Sequence, residues 1–469
     1  MIRLLLLTIF TVMLLVPPYS FAGSDNLLSE LQGEAEELNT PAESVIMMDI
    51  GSNPCTDWMN DRKKPLYEGP NKKTNGEEFF VQTGSAVISA PPGHPNYISS
   101  RQNAYVKAFM TAKAAMLEYM ETELSREITF SMKEGEFSRD KEAAQKKNKT
   151  TEETQFQAIK RKAALLINAT LDEKLEEKGV DPDSNNPEDQ KAVEQIVQEV
   201  VNSTKFSDII KSSSLQQLKG IRRMFVTESV KQGKQGEICV VALSSDKTMA
   251  LADAVFSDPS IAPTGMPNKP INQQIPNWRT NKGVKELLST FGTEMLRDEN
   301  GEFHVIAYAQ SSAKSESKTS QQIAIDKAVT RATAEIRTFS QEVASINKAA
   351  ENSEKATELA NAIQEYEENE AFEKTLSSIS VPAKISGIRK IGYWGAKHPL
   401  TGQTVYGAIV GWSPSNAITA KKMKSRMVAQ PNSSKKAGSN KSNSFKNDVL
   451  KAKGSYKGAA SGGSSEEDF

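Results

Sequence analysis

Pairs of apolar runs separated by polar, glycine-containing turns predict β-hairpins at two places in this chain. The first hairpin covers residues 220–226 and 238–244, and the second covers residues 387–394 and 405–413. Both have β-branched and aromatic residues on their arms, and both begin with the tripeptide Gly-Ile-Arg. The sequence therefore contains a duplicated hairpin.

A strand and a long helix precede each hairpin. Asn-Gly turn signals at Asn75 and Asn300 lead into apolar runs that we predict to be strands. Small residues then recur every three or four positions, so they share one face of a helix and form a packing face. This face comprises Ala104, Ala108, Ala112, Met116 and Tyr119 in the first half and Ala324, Ala328, Ala332, Ile336 and Phe339 in the second. Adding 220 to each number of the first set gives the second set.

The first half also contains an insertion. The hairpins are 387 − 220 = 167 positions apart, so the first half has 220 − 167 = 53 additional residues between its helix and its hairpin. They fall within residues 135–211, where apolar residues at helical spacing alternate with Lys, Glu and Gln. The pattern breaks at residues 179–183, Gly-Val-Asp-Pro-Asp. We predict a charged, coiled-coil-like helical hairpin inserted into the first module.

Strand, helix and hairpin together make a βαββ unit, so the sequence predicts an α+β fold with two βαββ modules. Each module is expected to be a three-stranded, largely antiparallel sheet with one long helix. The tail has too few apolar residues to offset the entropy of ordering, so we predict that it is disordered. The predicted organisation is a signal peptide at 1–22, an N-terminal extension at 23–74, module 1 at 75–256, a proline-rich linker at 257–282, module 2 at 283–427 and a basic tail at 428–469.

Duplicated βαββ modules with an alanine-rich helix resemble those of bacterial envelope proteins. The families concerned are the lipoprotein-twenty family, the N-terminal domain of the flagellar H-ring protein and, more loosely, domains of anticodon-binding-domain-like fold. The residues behind the resemblance are Ala104, Ala108 and Ala112 with 220–222, and Ala324, Ala328 and Ala332 with 387–389. The resemblance implies a scaffold or assembly role without catalysis. The insertion, and the lack of a cysteine for lipid attachment near the cleavage site, depart from the lipoprotein family.

The N-terminus has the pattern of a cleavable signal peptide. Arg3 precedes an apolar run at 4–16, and Ser20-Phe21-Ala22 supplies small residues around a cleavage site. The run is shorter than the ~20 residues that span a bilayer. We therefore predict cleavage near Ala22, a periplasmic or secreted protein, and no transmembrane anchor after cleavage.

The chain has two cysteines, Cys55 and Cys239. In an oxidising compartment such a pair is expected to form a disulfide, which would close a loop of 239 − 55 = 184 residues. The alternative is that Cys239 is simply a small buried hydrophobic residue on its strand.

No catalytic or metal-binding motif is apparent in the sequence. The histidines are His94, His304 and His398, and none has a second His or Cys at ligand spacing. We predict no enzymatic activity, no catalytic residue, no cofactor and no metal, although a pair of carboxylates without a linear motif stays an alternative. The formal net charge is −1 and the excess of basic residues lies in the tail. We thus expect no nucleic-acid binding, while the tail can contact an anionic surface.

The second hairpin supplies a candidate interaction surface. Alternation places Tyr406 and Trp412 on one face and Gly407 and Gly411 on the other, with Trp394 nearby. Two glycines on one face allow another backbone or a ligand to approach closely. The first module, another protomer or a ligand are the alternatives for what covers this surface.

These observations favour a structural or assembly protein of a bacterial envelope or extracellular complex. It would act by protein–protein interaction, with envelope proteins or further copies of itself as partners. The alternative is a periplasmic recognition module that binds a small ligand or a cell-wall polymer on the second module.

Overall fold

Each half of the chain forms a β-sheet with a long helix packed on it, which confirms the predicted α+β class. The computed structural model describes residues 43–48, 53–61, 65–73, 77–133, 155–182, 184–230, 235–349, 352–366, 375, 378, 385–399 and 401–429. The predicted signal peptide and the basic tail from residue 430 onward lie outside these residues. The described residues up to Met423 belong to one compact unit, and the described residues 424–429 fall in a second unit.

The first sheet has five strands in the order β1-β4-β5-β3-β2. Strand β1 is parallel to β4, and the other neighbouring strands are antiparallel. The strands are β1 (Glu43–Met48), β2 (Gly69–Lys72), β3 (Glu78–Val87), β4 (Arg222–Val230) and β5 (Gly236–Ser245). Helix α2 (Tyr97–Lys133) packs against β3 and β5. A Cβ atom added to Gly84 would lie 2.1 Å from the carbonyl oxygen of Ala108, so the helix rests directly on β3.

The other face of the first sheet is covered by the short helix α1 (Pro54–Asn60). Met59 of α1 packs with Phe79, Phe225 and Val241 of the sheet. The Pro at the first helical position and the Asn53 side chain, which accepts a hydrogen bond from the backbone N–H of Cys55, begin this helix.

The second sheet has four antiparallel strands in the order β6-β7-β9-β8. They are β6 (Gly292–Arg297), β7 (Phe303–Ser312), β8 (Arg389–Lys397) and β9 (Thr404–Trp412). Helix α9 (Lys318–Ala349) packs against β7 and β9. In both long helices the predicted packing face is buried, except that Tyr119 is half-buried.

Both sheets are wider than the three strands predicted. Strands β2 and β6 take equivalent places, each antiparallel to the strand that precedes the long helix. Strand β2 was missed because Gly69, Pro70 and Asn71 are poor strand formers, which sheets accept at an edge. Strand β1 adds a fifth strand to the first sheet, so the predicted N-terminal extension contributes two strands and α1 to that module.

The duplication includes an irregularity of the hairpins. Strand β4 shifts register between Arg223 and Phe225, and β8 shifts between Lys390 and Gly392. The two irregularities are 390 − 223 = 167 residues apart, the same spacing as the hairpins. A β-bulge therefore occurs at the same place in both modules.

The glycine that begins each repeated tripeptide has the same role in both modules. Gly220 and Gly387 have φ angles of 72° and 88°, a left-handed conformation that favours glycine. A Cβ atom at Gly220 would lie 2.1 Å from the oxygen of Thr248, and one at Gly387 would lie 2.5 Å from the nitrogen of Ala417. Both neighbours belong to the helix after the hairpin, namely α6 (Asp246–Phe256) and α11 (Pro414–Ala429). Each module is thus a βαββ unit followed by a further helix.

The insertion contains three described helices where two were predicted. They are α3 (Gln155–Lys178), α4 (Pro187–Val201) and α5 (Thr204–Gln217). The second interruption arises because Ser203 caps α5 by accepting a hydrogen bond from the N–H of Phe206. Residues 124–133 of α2 pack with these helices around a separate apolar core that includes Ile128, Ile167 and Ile196. We call this assembly the helical arm.

The segment predicted to be a linker contains a 3₁₀ turn (Pro259–Ile261) and the short helix α7 (Ile271–Gln274), and α8 (Asn281–Leu287) begins at its end. Gly265 N–H donates to the oxygen of Gly301, and Asn268 N–H donates to that of Asp298. The segment therefore runs along the turn between β6 and β7. Helix α10 (Ser353–Gln364), which follows α9, packs against α2 and α5.

The two modules share their cores. Val226 and Val240 of the first sheet belong to one apolar cluster with Ile306 and Ile409 of the second. In another cluster, α6 of the first module packs with α9 and β9 of the second. Among the described residues, no helix combines the length and apolar character that crossing a bilayer requires.

Candidate functional site

A buried ion pair lies where the two modules meet. Arg101 of α2 and Glu228 of β4 are both 0% exposed, and Arg101 Nη2 lies 2.6 Å from Glu228 Oε2. Tyr97 Oη donates a hydrogen bond of 2.5 Å to Glu228 Oε1. His398 Nε2, at the end of β8, lies 3.6 Å from Oε2. One carboxylate therefore gathers side chains from both modules.

The ion pair extends to Gln310 of β7. Arg101 Nη1 donates to Gln310 Oε1 at 3.1 Å, and Arg101 Nη2 donates to the carbonyl oxygen of Leu288 at 2.7 Å. Gln310 Nε2 donates to the carbonyl oxygens of Leu287 and Leu288, both at 2.9 Å. These bonds attach the end of α8 and strand β7 to the first module.

The charges of this network hold one another in place. Burial alone would raise the pKa of Glu228, but the charge and hydrogen bonds of Arg101, with the nearby His398, outweigh burial and lower the pKa to about 2. Glu228 is therefore an ionised carboxylate at neutral pH. Because the pair is fully buried, it orders the junction of the modules and does not form a site open to substrates.

A second buried pair connects β4 with the second sheet. Arg223 Nη2 lies 3.5 Å from Glu294 Oε2, and Tyr308 Oη donates a short hydrogen bond to Glu294 Oε1. Burial, followed by the negative charge of Glu294, raises the pKa of Tyr308 well above its usual value. Tyr308 is thus a neutral hydrogen-bond donor.

A cleft of about 690 Å³ lies between α2 and α9. It is partly open to solvent and has both apolar and charged walls. Lys113 and Glu342 form a bidentate ion pair across it, with Lys113 Nζ 2.8 Å and 2.6 Å from the two carboxylate oxygens. Further lining residues are Val87, Gln102, Tyr105, Lys107, Phe109, Arg331, Ala334 and Glu335. This volume falls within the ~300–1,000 Å³ of typical ligand sites, and module interfaces are a common place for them.

One end of the cleft reaches the free edge of β7. Strand β6 pairs with β7 only as far as Tyr308, so no described strand pairs with Gln310 on that edge, although Gln310 pairs with Gly407 of β9 on its other edge. Gln102 Oε1 accepts a hydrogen bond of 3.3 Å from Gln310 N–H, and Arg331 Nη1 donates one of 2.7 Å to Gln310 O. A side chain from each module therefore converges on the same residue.

The predicted interaction surface is packed inside the chain. Trp394 and Trp412 are 5% and 1% exposed, Gly407 and Gly411 are buried, and Tyr406 is half-buried. A Cβ atom at Gly407 would lie 2.1 Å from the indole of Trp394, so that ring occupies the space the glycine leaves. The sequence left the first module, another protomer or a ligand as alternatives for what covers this surface. The first module covers the face of β9 that carries Val405 and Ile409.

The opposite face of β9 is covered by α9, since Trp412 packs with residues of that helix.

The cysteines also come together: Cys55 and Cys239 have their Sγ atoms at bonding distance and their Cα atoms 6.1 Å apart. This disulfide attaches α1 to β5.

Asp298, Glu302 and His304 form the nearest approach to a metal-binding set within the described residues. One ligand atom from each lies within 4.8 Å of the others. Hydrogen bonds already account for these groups: His304 Nε2 lies 3.1 Å from Asp298 Oδ2, and Glu302 Oε1 accepts a bond of 2.8 Å from Ser415 Oγ. We interpret the cluster as a set of hydrogen bonds that connects the β6–β7 turn to the start of α11.

The helical arm exposes apolar side chains. Phe130 of α2 is 61% exposed, and Leu165 and Leu166 of α3 are 38% and 48% exposed. Leu166 also lines a groove of about 430 Å³ between α3 and α5, together with Ile209. Ordinary surfaces carry scattered apolar residues, but neighbouring ones beside a groove are typical of interaction sites.

Comparison with known proteins indicates a domain type without an assigned role. Residues 156–257 match the family model described as a domain of unknown function, DUF6844. That segment contains α3 to α5, the first hairpin and α6. The 2.3 Å crystal structure of the hypothetical protein FTT1539c from Francisella tularensis is 18% identical, covers 71% of this chain and 83% of that chain, and superposes with a TM-score of 0.40.

Comparison with curated protein sequences gives no match. None of these findings supports the predicted resemblance to the lipoprotein-twenty or flagellar H-ring families. What they do support is a match of residues 156–257 to the DUF6844 model.

Proposed function

We propose that this protein is an exported, non-enzymatic interaction protein with a structural or assembly role in a bacterial envelope or extracellular complex. The observation that carries the proposal is the helical arm, which has its own apolar core and yet leaves Leu165 and Leu166 exposed. A surface helix that had only to cover its own core would be expected to present polar residues there.

The rest of the molecule suits the role of a fixed platform for the arm. The modules share apolar cores, and Arg101, which is paired with Glu228, joins them through buried hydrogen bonds to Gln310 and to the carbonyl oxygen of Leu288. Helix α10 adds contacts to the base of the arm, where Thr357 Oγ1 donates a bond of 2.9 Å to Asp208. An arm held in this way presents its surface in one orientation, which lowers the entropy lost on association.

The partner that we propose for the arm is a second copy of the chain. The groove beside Leu166 is rimmed by Glu173, Lys205 and Asp208, so charges of both signs flank its apolar floor. The arm of another copy offers the same combination of exposed leucines and mixed charges. Such a self-complementary surface is what a two-fold symmetric contact requires.

The test is light scattering on residues 23–469 over a range of concentrations. We expect a discrete oligomer whose population rises with concentration, and we expect the double variant Leu165→Glu, Leu166→Glu to stay monomeric. Ile323→Glu is the matched control, because Ile323 on α9 is also 50% exposed but lies outside the arm. A wild-type protein that stays monomeric, or an oligomer that the arm variant leaves intact, would contradict the proposal.

Export has its own test, the N-terminal sequence of the protein recovered from a bacterial host. We expect the mature chain to begin close to Gly23, after cleavage near Ala22. A chain that retains Met1 would contradict this part. We do not propose ligand binding at Trp394 and Gly407, because the tryptophan ring and the first module occupy that surface.

A further inference from the structure

We propose that the cleft between α2 and α9 binds a small amphipathic anion, whose charged group is held by Gln102 and Arg331 and whose apolar part lies along Phe109. Nothing in the proposed function of the arm requires such a site. The proposal therefore stands or falls separately.

The first argument is an unused hydrogen-bond donor. Gln102 is only 6% exposed, and its Oε1 atom accepts the N–H of Gln310. Within the described part of the chain, Gln102 Nε2 has no hydrogen-bond partner although it is buried. A buried donor without a partner destabilises the folded protein, so a ligand acceptor placed there would remove that penalty.

The second argument is the spare capacity of Arg331. Its guanidinium has five N–H donors, and among the described residues only the bond from Nη1 to the oxygen of Gln310 engages it. Partial burial lowers the pKa of Arg331 from its usual value. Since Gln102 and Arg331 bind the N–H and the C=O of one residue, their remaining donors lie at the same end of the cleft.

The third argument is the balance of charge. The charged lining residues are Lys107, Lys113, Arg331, Glu335 and Glu342, which gives 3 − 2 = +1. Lys113 and Glu342 neutralise each other through their bidentate pair. An anion is therefore the ligand that the remaining charges favour, and a planar carboxylate or a phosphate suits the forked donors of an arginine.

The apolar walls indicate what else the ligand carries. Phe109 stacks on Tyr105 with ring centroids 6.0 Å apart, and Val87, which is 57% exposed, lines the same cleft. The cleft of about 690 Å³ is larger than a free anion needs. An alkyl or aromatic group attached to the anion would cover this surface and remove apolar area from water, which favours binding.

The experiment is calorimetric titration of the folded chain, residues 23–469, with decanoate, decyl phosphate, decanol and inorganic phosphate. We expect one molecule of decanoate or decyl phosphate per chain, and at least tenfold weaker binding of decanol and of phosphate. Decanol that binds as tightly as decanoate would overturn the role of the anion. Phosphate that binds as tightly as decyl phosphate would overturn the role of the apolar part, and no binding of any probe at about 1 mM would overturn the site.

Variants locate the site. Arg331→Met and Gln102→Leu should each weaken decanoate roughly 10- to 100-fold, the range expected for a lost hydrogen bond to a charged group. Arg337→Met is the control, because Arg337 lies exposed on the same helix and does not line the cleft. Ala334→Trp should fill the cleft and abolish binding without lowering the unfolding midpoint, since Ala334 is exposed at its wall. Binding that survives both Arg331→Met and Ala334→Trp would place the ligand elsewhere and refute the proposal.

Discussion

Replacing Glu228 by Gln would test how much the buried ion pair at the junction of the modules stabilises the folded chain. The substitution keeps the size of the side chain but leaves Arg101 charged and without its carboxylate. Both side chains are fully buried, so water cannot replace the lost partner. Removing one member of a buried ion pair costs about 3–5 kcal/mol, a large part of the ~5–15 kcal/mol that stabilises a typical domain.

The pH dependence of this effect follows from the lowered pKa of Glu228. The shift from 4.5 to about 2 corresponds to roughly 3 kcal/mol of stability. Because the folded-state pKa is the lower one, this stability is complete above the unfolded-state pKa near 4.5 and is lost as the pH falls towards 2. At pH 3 linkage predicts that about 2 kcal/mol has been lost. The Gln variant has no carboxylate at this position, so its stability lacks this pH-dependent contribution.

The assay is urea unfolding of both proteins at pH 7 and at pH 3, monitored by circular dichroism. We expect the variant to be less stable by about 3–5 kcal/mol at pH 7, and we expect this difference to shrink by about 2 kcal/mol at pH 3. Glu199→Gln is the matched control, because Glu199 forms an exposed pair with Lys178 at 2.8 Å. We expect that variant to unfold with the wild type at pH 7, since exposed pairs contribute little.

Two results would refute the reasoning about Glu228. A loss below about 1 kcal/mol at pH 7 would mean that the junction does not depend on this pair, because buried pairs usually cost more when broken. An equal loss at both pH values would mean that the carboxylate is not ionised well below its usual pKa in the folded protein.

The remaining predictions concern packing, the disulfide and a helix cap. Gly407→Ala should cost about 1–3 kcal/mol and shift tryptophan emission, because the added Cβ would lie 2.1 Å from the ring of Trp394; an unchanged spectrum would contradict this. Cys55→Ala should lower stability by about 2–4 kcal/mol in thermal unfolding, because it opens the 184-residue loop closed with Cys239. The wild-type protein unfolded in the presence of reductant should show the same loss of stability. Ser245→Ala should cost about 1 kcal/mol in the same assay, because it removes a capping box; full stability would argue against the cap.

The main elements were predictable because their patterns are local and occur twice. The repeated Gly-Ile-Arg tripeptide and the alanine face that begins with Ala104 each have an equivalent in the other half, so chance similarity is an unlikely source of the pattern. Strand β2 was not predictable, because Pro70 and Asn71 are tolerated only where a sheet leaves an edge free. The end of α4 was also not predicted. Its apolar spacing continues into α5 as one helical pattern, and the break between the two helices depends on Ser203, which caps α5.

The candidate sites could not be predicted because their members are distant in sequence. Arg101 and Glu228 are 127 residues apart, and Gln102 meets Gln310 across 208 residues. The sequence contained one usable signal, a glutamate within the apolar strand β4, since a buried carboxylate requires a partner. The pairing of Trp394 with Gly407 was equally hidden, because alternation assigns a face to a residue and does not say which side chain fills it.

Strand β1 and helix α1 have a consequence for the order in which the chain is made. Both are synthesised early, yet β1 pairs with β4 from Glu43↔Phe225 onward, and Cys55 bonds Cys239. Chains emerge N-terminus first at ~5–20 residues per second, so the first-made strand waits roughly 10–40 seconds before its neighbour, 225 − 43 = 182 residues later, exists. During that interval its edge and one thiol have no native partner. A chaperone or thiol oxidoreductase that acts on the nascent chain would therefore find its target at the N-terminal end, and release would coincide with completion of the first hairpin.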